Sequence, residues 1–398
     1  MQTPYAHRSV VTLLLLPLCS AMVIAACTRP PTRGPRTPPA GICASPAPLT
    51  VCGVPGFGTR VQGLGDDVLV GASGLALLDG TLYTVLEAKG LGAGIEATDS
   101  GAGAVVRGVL FRASARHPAT WEPMDITLSS QCLKLTTELS GDHWRKDLEL
   151  ESVDVRRGAR GELRIAVGSD FGFVATGELS GRVAALVRCT ASTRALPNNK
   201  AFEAVTLAES ATGGVMAFEE EAVRADATAP PATSRAATPE HDAKTWRYRR
   251  QWLGAHGAAD RDSRALRAAR DSALHAPPAP EGCRKAPRIA GSARVGQGTV
   301  LVMSCKAIGG GYRYFLGAVG PTSRAVAVIA IRNTQFGRLS PNLEGLASEG
   351  GCLDPLWIIA DDHNSAGAPT VMGTISVPEA FRGVLRCGRS SDPPAASR

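Results

Sequence analysis

Four stretches of the chain share one pattern of hydrophobic and polar positions. They are residues 71–90, 148–172, 201–221 and 342–364. In each, a short and largely alternating run leads to a turn rich in Gly or Asp, and a denser apolar run such as TLYTVL or LRIAV follows. Alternation with a period of two is typical of half-buried strands. The pattern therefore predicts four β-hairpins.

Acidic residues fall at matching places in these hairpins. Glu151, Glu203 and Glu344 open the first strand of three hairpins, and Ser73 takes this place in the earliest one. The second strands close on Glu87, Asp170, Glu219 and Asp361. In an antiparallel hairpin the first strand begins beside the end of the second. Both sets of acids are therefore expected at the same end of each hairpin.

Other strand-like runs, among them GAVVRGVLFRAS, GTVLVMSCKA and AVAVIAIRN, separate the hairpins. Hairpins repeated at intervals of several tens of residues predict an all-β fold, a β-propeller with four-stranded blades. A core of roughly 340 residues suits about six blades of about 40 to 50 residues each. A β-sandwich or a two-domain all-β chain is the alternative. An α/β fold is not expected, because strands do not alternate with crossover helices.

Residues 1–26 have the composition of a signal peptide, since the apolar run VTLLLLPLCSAMVIAA ends in small residues. The sequence IAAC resembles the bacterial lipobox, which predicts cleavage before Cys27 and a lipid anchor on that residue. A secretory signal without a lipid, or an N-terminal membrane helix, is the alternative, although the run is shorter than the roughly 20 residues that span a bilayer. The prediction is a lipid-anchored protein of the bacterial cell envelope that faces the periplasm or the exterior.

Composition divides the remainder of the chain. Residues 27–44 are rich in Pro and Arg and predict an extended tether. The propeller is predicted over residues 45–390, with a long Ala/Pro-rich and partly disordered insertion over residues 221–282. Residues 391–398 are predicted to be a disordered tail.

The net charge and the number of cysteines limit the binding partners and the cellular compartment that are expected for the protein. The formal net charge is +7, but no Lys/Arg block with interleaved aromatics is present, so nucleic acid is not an expected partner. Of the 10 cysteines, all except Cys19 and Cys27 lie beyond the signal and lipobox, an even number that predicts disulfides in an exported chain. Closeness in sequence favours the pairs Cys43–Cys52 and Cys283–Cys305.

The strings NNKAFEAVTLAE, NLEGLASEG and LWIIADDHN resemble motifs of the phytase-like family, also called esterase-like activity of phytase. The resemblance extends over roughly residues 60–390. It implies an extracytoplasmic β-propeller and hydrolysis of phosphoesters or esters. The matching positions are Asn199, Lys200, Phe202, Glu203, Glu344, Gly345, Asp361, Asp362 and Asn364. Ala201, Ala204 and Ser152 stand where the family has Gly.

Carboxylates that converge at one end of several blades repel each other and need a compensating cation or proton. Hard oxygen ligands suit Ca²⁺, and the predicted ligands are Asp170, Asp361, Asp362 and Asn364. Glu151, Glu203 and Glu344 are the predicted catalytic residues. A phosphorylated small molecule would contact His143, Arg145, Asn199 and Lys200. The alternative is a non-catalytic scaffold that binds a protein or glycan, in which each acid only caps its own strand.

Overall fold

The structure is a computed structural model. The residues that it describes are 51–54, 60–61, 71–86, 103–141, 144, 148–192, 201–208, 214–220, 223–224, 246–253, 274–276, 280–323, 325–331, 342–361 and 370–387. Within these ranges, no helix is long and apolar enough to cross a membrane.

The strands are grouped into blades, numbered in chain order from the N-terminus. Two short strands come first, β1 (Cys52–Gly53) and β2 (Arg60–Val61). Blade I contains β3 (Ala72–Leu78), β4 (Thr81–Leu86), β5 (Gly103–Ser114) and β6 (His117–Ser129). After helix α1 (Ser130–Ser140), blade II contains β7 (Leu150–Arg157), β8 (Leu163–Ser169), β9 (Phe173–Ser180) and β10 (Val183–Ala191).

Blade III begins with β11 (Phe202–Leu207) and β12 (Val215–Glu219), and the strands that follow are β13 (Val223–Arg224), β14 (Trp246–Tyr248), β15 (Arg250–Leu253) and β16 (Leu274–His275). β15 completes blade III, whereas β13, β14 and β16 form a small separate sheet. Blade IV contains β17 (Arg288–Val295), β18 (Gly298–Lys306), β19 (Tyr312–Val319) and β20 (Ala327–Ile331). Blade V contains β21 (Asn342–Ala347), β22 (Pro355–Asp361) and β23 (Val371–Ser376), and a 3₁₀ helix (Glu379–Phe381) follows.

The predicted β-propeller is confirmed, but the described residues form five blades rather than about six. The inner strands β3, β7, β11, β17 and β21 touch one another in sequence order, and β21 returns to β3. The short N-terminal strand β1 pairs with β23 as the outermost strand of blade V. The estimate from length was too high because residues 221–282 contribute β15 and a small side sheet instead of a blade of their own.

Each inner strand carries a β-bulge near its start, where its register against the second strand shifts. The extra residue is Glu151 in β7, Glu203 in β11, Ala290 in β17 and Glu344 in β21, and Ser73 lies at the shift in β3. A bulge re-aims its side chain without ending the strand. The repeated acids of the sequence are therefore repeated bulge residues of the inner ring.

The residue after each bulge must be small, because the inner strands approach closely there. A Cβ on Gly74 would lie 2.6 Å from the Val153 backbone nitrogen, and one on Gly345 would lie 2.8 Å from the Ser73 carbonyl oxygen. Ser152 and Ala204 take this place in β7 and β11. Both residues are small, so they fill the place that glycine has elsewhere in the ring.

We expect Gly74→Ala to lower the free energy of unfolding by about 1–3 kcal/mol, since backbone atoms of β7 cannot move aside without disturbing the ring. Denaturant unfolding measures the effect. Gly309→Ala is the matched control, because a Cβ there meets no heavy atom within 4 Å. Equal stability of the two variants would contradict the close approach of β3 and β7.

Blades I and II are joined at their outer edges as well as at the centre. Residues Val183–Leu186 of β10 pair in parallel with Asp125–Leu128 of β6. The disulfide Cys132–Cys189 ties α1 to β10 beside this pairing. Helix α1 was not predicted from the sequence; Ser129 caps it by accepting a hydrogen bond from the Cys132 backbone N–H at 3.2 Å.

The predicted disulfide Cys283–Cys305 is confirmed, and the described residues add Cys132–Cys189 and Cys352–Cys387. Cys52 is also disulfide-bonded. Its predicted partner, Cys43, lies outside the described residues. Cys132–Cys189 closes a loop of 57 residues, a separation that gave no signal in the sequence.

Candidate functional site

The inner strands run in the same direction, so their bulges meet at one end of the ring, which we call the top. The Ser152 hydroxyl of β7 donates a hydrogen bond of 2.8 Å to the Phe202 carbonyl of β11. The Ser292 hydroxyl of β17 donates to the Val205 carbonyl at 3.2 Å. Gly291 of β17 lies against Gly345 of β21. Equivalent positions therefore face each other around the ring, and Glu151, Glu203 and Glu344 share its top end.

Arg288, the first residue of β17 in blade IV, joins acids of blades III and V. Its Nη1 donates to Glu220 Oε1 at 2.8 Å, and its Nη2 donates to Glu344 Oε1 at 3.4 Å. Asn342 accepts from the same Nη2 and donates from its amide to Glu344. Ser304 Oγ accepts from Arg288 Nε at 3.2 Å. We call Arg288, Glu203, Glu220, Asn342 and Glu344 the Arg288 cluster.

The Arg288 guanidinium remains charged in this setting. Burial by itself lowers the pKa of a guanidinium, but the carboxylates of Glu344 and Glu220 raise the pKa of Arg288 above its ordinary value. Its side chain is 26% exposed, whereas those of Glu220 and Glu344 are 4% and 3% exposed. One cation thus holds two almost fully buried carboxylates.

One carboxyl oxygen of Glu203 makes no hydrogen bond in the described structure. The residue is 5% exposed, and its Oε2 has no hydrogen-bond partner in the described structure. Burial raises the pKa of Glu203 well above its ordinary value, and the nearby charges of Glu344, Glu220 and Asp170 raise it further against the opposing effect of Arg288. Glu203 therefore keeps its proton at pH values at which an ordinary glutamate has lost it.

The other described acids have different surroundings. Asp170 Oδ1 accepts from the Ala201 backbone N–H at 3.2 Å, which ties the turn after β8 to the start of β11. Glu219 Oε1 accepts from Gln251 Nε2 at 2.9 Å. Glu151 is buried at the bulge of β7. Asp361 pairs with Asn342 in the β21–β22 ladder, which places its backbone at the top end.

Several predicted site residues lie outside the described residues, so the structure does not test their roles. These are Cys27, His143, Arg145, Asn199, Lys200, Asp362 and Asn364.

The structure does not test the predicted calcium site, because Asp170 is the only one of its four predicted ligands whose side chain is described. Among the described side chains, no group of three or more His, Cys, Asp or Glu residues is placed to hold a metal ion. Arg288 supplies the positive charge between Glu220 and Glu344, and Asp170 uses one oxygen for a backbone contact. The calcium site therefore stays a prediction.

The sequence analysis missed Arg288, Glu220 and Asn342 as members of the site. Residues 288–306 form a hairpin with the same bulge as the other inner strands, but Ala290 stands where three of the others have Glu. Because the pattern was traced through its acids, this hairpin was interpreted only as isolated strands. A Gly at position 291, matching Gly74 and Gly345, was the signal that could have revealed it.

No model of a protein family matches the chain, and no curated protein matches it. Solved structures with a similar fold include the catalytic domain of a GH62 α-L-arabinofuranosidase from Coprinopsis cinerea, at 8% identity over 82% of this chain and 96% of that chain, with a TM-score of 0.40. An endo-arabinase from Bacteroides thetaiotaomicron is 11% identical over 81% of this chain and 98% of that chain, with a TM-score of 0.40. An exo-β-1,3-galactanase from Phanerochaete chrysosporium is 10% identical over 82% of this chain and 63% of that chain, with a TM-score of 0.41. Similarity this remote assigns no activity to the chain.

Fold and site together define an all-β protein, a propeller whose described strands form five blades, with a buried cluster of carboxyl groups and one arginine at the top of its inner ring.

Proposed function

We propose that the protein is a hydrolase whose active site is the Arg288 cluster, with Glu203 as the general acid. One observation carries this proposal. Glu203 Oε2 is buried and has no hydrogen-bond partner among the described residues, beside two carboxylates that are paired with Arg288. A protonated and an ionised carboxyl group in one site supply the acid and the base of a hydrolytic reaction.

In the proposed reaction, Glu203 donates its proton to the leaving oxygen as the bond to that oxygen breaks. Glu344 is assigned as the base, because it occupies the same bulge position in β21 as Glu203 in β11. It accepts a proton from the attacking water, whose oxygen forms the new bond. Arg288 and Asn342 orient Glu344 through their hydrogen bonds to it.

The charge of the cluster favours an uncharged substrate. With Glu203 protonated, the two carboxylates of Glu220 and Glu344 face one guanidinium, so an anionic phosphoester would be repelled by the described residues. A glycosidic or carboxylic ester bond fits this balance, and acid–base pairs of carboxyl groups are typical of glycoside hydrolysis. In a second form of this proposal, the protein belongs to the phytase-like family and hydrolyses phosphoesters. Lys200 and Arg145 would then have to supply the positive charge that binds the phosphate.

The experiment is a comparison of alkyl glycosides, alkyl acetates and alkyl phosphates with the purified protein, because their leaving alkoxides need the proton that Glu203 is proposed to donate. We expect turnover of an uncharged substrate that Glu203→Gln lowers by about 10²–10⁴-fold and that Glu178→Gln leaves intact, since Glu178 lies exposed on β9. Turnover restricted to phosphates would overturn the argument from charge.

A non-catalytic scaffold is the second candidate, and a specific observation favours it. The Arg288 cluster links strands of blades III, IV and V through buried hydrogen bonds, an arrangement that serves the fold without any substrate. A folded protein that hydrolyses none of the three substrate classes, and in which Glu203→Gln changes only stability, would support this candidate.

We also propose that a lipid on Cys27 anchors the chain in the bacterial envelope, on the strength of the lipobox-like IAAC sequence. Cys27→Ser is expected to remove the lipid and to shift the protein from the membrane fraction to the soluble fraction. Metabolic labelling with a fatty acid and detergent phase partitioning measure this. Cys19→Ser is the control, and unchanged labelling of Cys27→Ser would contradict the proposal.

A further inference from the structure

The top of blade IV carries positive charge that no acid of the blade balances. Residues 282–343, which include the whole blade, contain Lys and Arg but neither Asp nor Glu. Arg288 of β17 pairs with Ser304 of β18, so β18 ends at the top of the ring. The exposed cations among the described residues of this stretch, which we call the basic patch, are Arg284, Lys285, Lys306 and Arg313.

Backbone hydrogen bonds and a disulfide fix the two segments that carry most of the basic patch. The Arg284 N–H donates to the Lys306 carbonyl at 3.3 Å, and the Ile308 N–H donates to the Gly282 carbonyl at 2.9 Å. The disulfide Cys283–Cys305 joins the same two segments. Arg284 and Lys306 are therefore held as neighbours by the fold.

Arg313 belongs to the same surface. It pairs with Cys305 in the β18–β19 ladder. Its guanidinium lies over Gly282, where an added Cβ would be 2.6 Å from Cζ of Arg313. Lys285 follows Arg284 directly. All four cations thus lie within a few residues of one disulfide.

The charge of the basic patch is not neutralised by the described residues. Among them, no ion pair or hydrogen bond engages any of its four side chains, and the exposed Glu281 does not pair with them. Arg288 differs, because Glu220 and Glu344 engage its guanidinium. Like charges held close together repel one another, so an anionic partner would relieve this repulsion.

An exposed apolar side chain lies next to these cations, in the turn between β18 and β19. Ile308 is 63% exposed, and the exposed glycines 309–311 follow it. A Cβ on Gly309 or Gly310 would meet no heavy atom within 4 Å, so this turn projects from the blade. Cations beside an exposed apolar side chain are typical of surfaces that bind at a membrane interface.

We propose that the basic patch and Ile308 dock the top of blade IV on a membrane surface that contains anionic phospholipids. The cations contact the phosphate groups of the lipids, and Ile308 enters the boundary between headgroups and acyl chains. An acidic protein would match the same charge, but its solvated surface would offer Ile308 no apolar environment. The inference depends neither on the proposed hydrolysis nor on the proposed lipid on Cys27.

The test is co-sedimentation of the full chain with lipid vesicles, in a Cys27→Ser background that removes the proposed lipid. The measured quantity is the affinity for vesicles of equal parts phosphatidylglycerol and phosphatidylcholine, divided by the affinity for phosphatidylcholine alone. An apolar N-terminus contributes equally to both affinities. We expect a ratio well above one that falls as salt is added, because salt screens the attraction between the cations and the lipids.

Variants of the basic patch should lower this ratio. Lys306→Gln and Arg313→Gln are each expected to lower it by about fivefold, whereas Lys306→Arg should keep it. Ile308→Ser should lower it by about tenfold, because serine gains little from leaving water. Ile308→Trp gives a direct readout of insertion, since its fluorescence should shift to shorter wavelength only with vesicles that contain phosphatidylglycerol.

Arg116→Gln and Leu353→Ser are the matched controls and should bind as the parent does. Arg116 is an exposed cation in the β5–β6 turn, and Leu353 is 74% exposed in the loop before β22, both at the opposite end of the ring. Circular dichroism checks that each variant is folded. The proposal is overturned if the parent has a ratio of one, if the controls lower the ratio as much as the patch variants do, or if the glutamine variants or Ile308→Ser keep the parental ratio. Binding to soluble polyglutamate without binding to the vesicles would also overturn it, in favour of an acidic macromolecule.

Discussion

Glu203→Gln is expected to lower the hydrolytic rate by about 10²–10⁴-fold, the usual contribution of a general acid. Glutamine keeps the shape of the side chain and cannot donate the proton. In the parent, the rate should fall as pH rises through the raised pKa of Glu203, and this limb of the pH–rate profile should be missing from the residual activity of the variant. A stopped assay over a series of pH values measures both effects.

Stability provides an independent readout of the same proton. The folded state holds a proton on Glu203 at pH values at which the unfolded state has released it, so the folded state binds more protons. The contribution of Glu203 to the free energy of unfolding is therefore fully present below the ordinary glutamate pKa of 4.5. It is lost as pH rises through the raised pKa that Glu203 has in the folded state.

Glu203→Gln should remove this dependence. Parent and variant are expected to have similar stability in acid, and the variant should become the more stable of the two as pH rises. Denaturant unfolding across the pH series measures the difference. Glu178→Gln should follow the parent at every pH. A parent–variant difference that does not change with pH would show that Glu203 is ionised in the folded state.

Arg288→Met is expected to lower the free energy of unfolding by about 3–5 kcal/mol, because it leaves Glu220 and Glu344 buried without their cation. Arg288→Lys should give an intermediate value, since an ammonium group cannot serve Glu220 and Glu344 with a planar fork. Denaturant unfolding of the purified variants measures both changes.

Two controls make this result specific. Arg188→Met changes the same residue type at an exposed position and should stay within about 0.5 kcal/mol of the parent. Combining Arg288→Met with Glu220→Gln and Glu344→Gln removes the unpaired charges together with the cation, so it should recover part of the lost stability. A triple variant no more stable than Arg288→Met would show that packing, and not charge, is what Arg288 supplies.

The structure explains why Ser152 and Ala204 can replace the glycines of the phytase-like pattern. Ser152 and Ala204 stand where the phytase-like pattern has Gly, which favours the scaffold alternative when judged from sequence. In the structure the position after each bulge faces a neighbouring inner strand at close range, as Gly74 and Gly345 demonstrate. Ser152 meets the same demand and adds a hydrogen bond to Phe202. These substitutions therefore leave the geometry of the ring intact and do not separate the two functions.

The local pattern of the chain was sufficient to predict the hairpins, the β-propeller class and the position of Glu151, Glu203 and Glu344 at the start of inner strands. Period-two alternation and turn composition act over a few residues, so they can be recognised without the fold. Cys283–Cys305 was predictable for the same reason, since only 22 residues separate its cysteines. Helix α1 and the disulfide Cys132–Cys189 were not, because their signals depend on packing between blades I and II.

The tertiary structure alone decided the closure of the described strands into five blades, the pairing of Arg288 and the raised pKa of Glu203. Arg288 meets Glu220 and Glu344 only because blades III, IV and V converge on one axis, across 68 and 56 residues of sequence. The pKa of Glu203 depends on burial and on charges contributed by other strands. The interaction between two charges depends on the distance between them in space. That distance is set by the closure of the ring and cannot be read from the sequence.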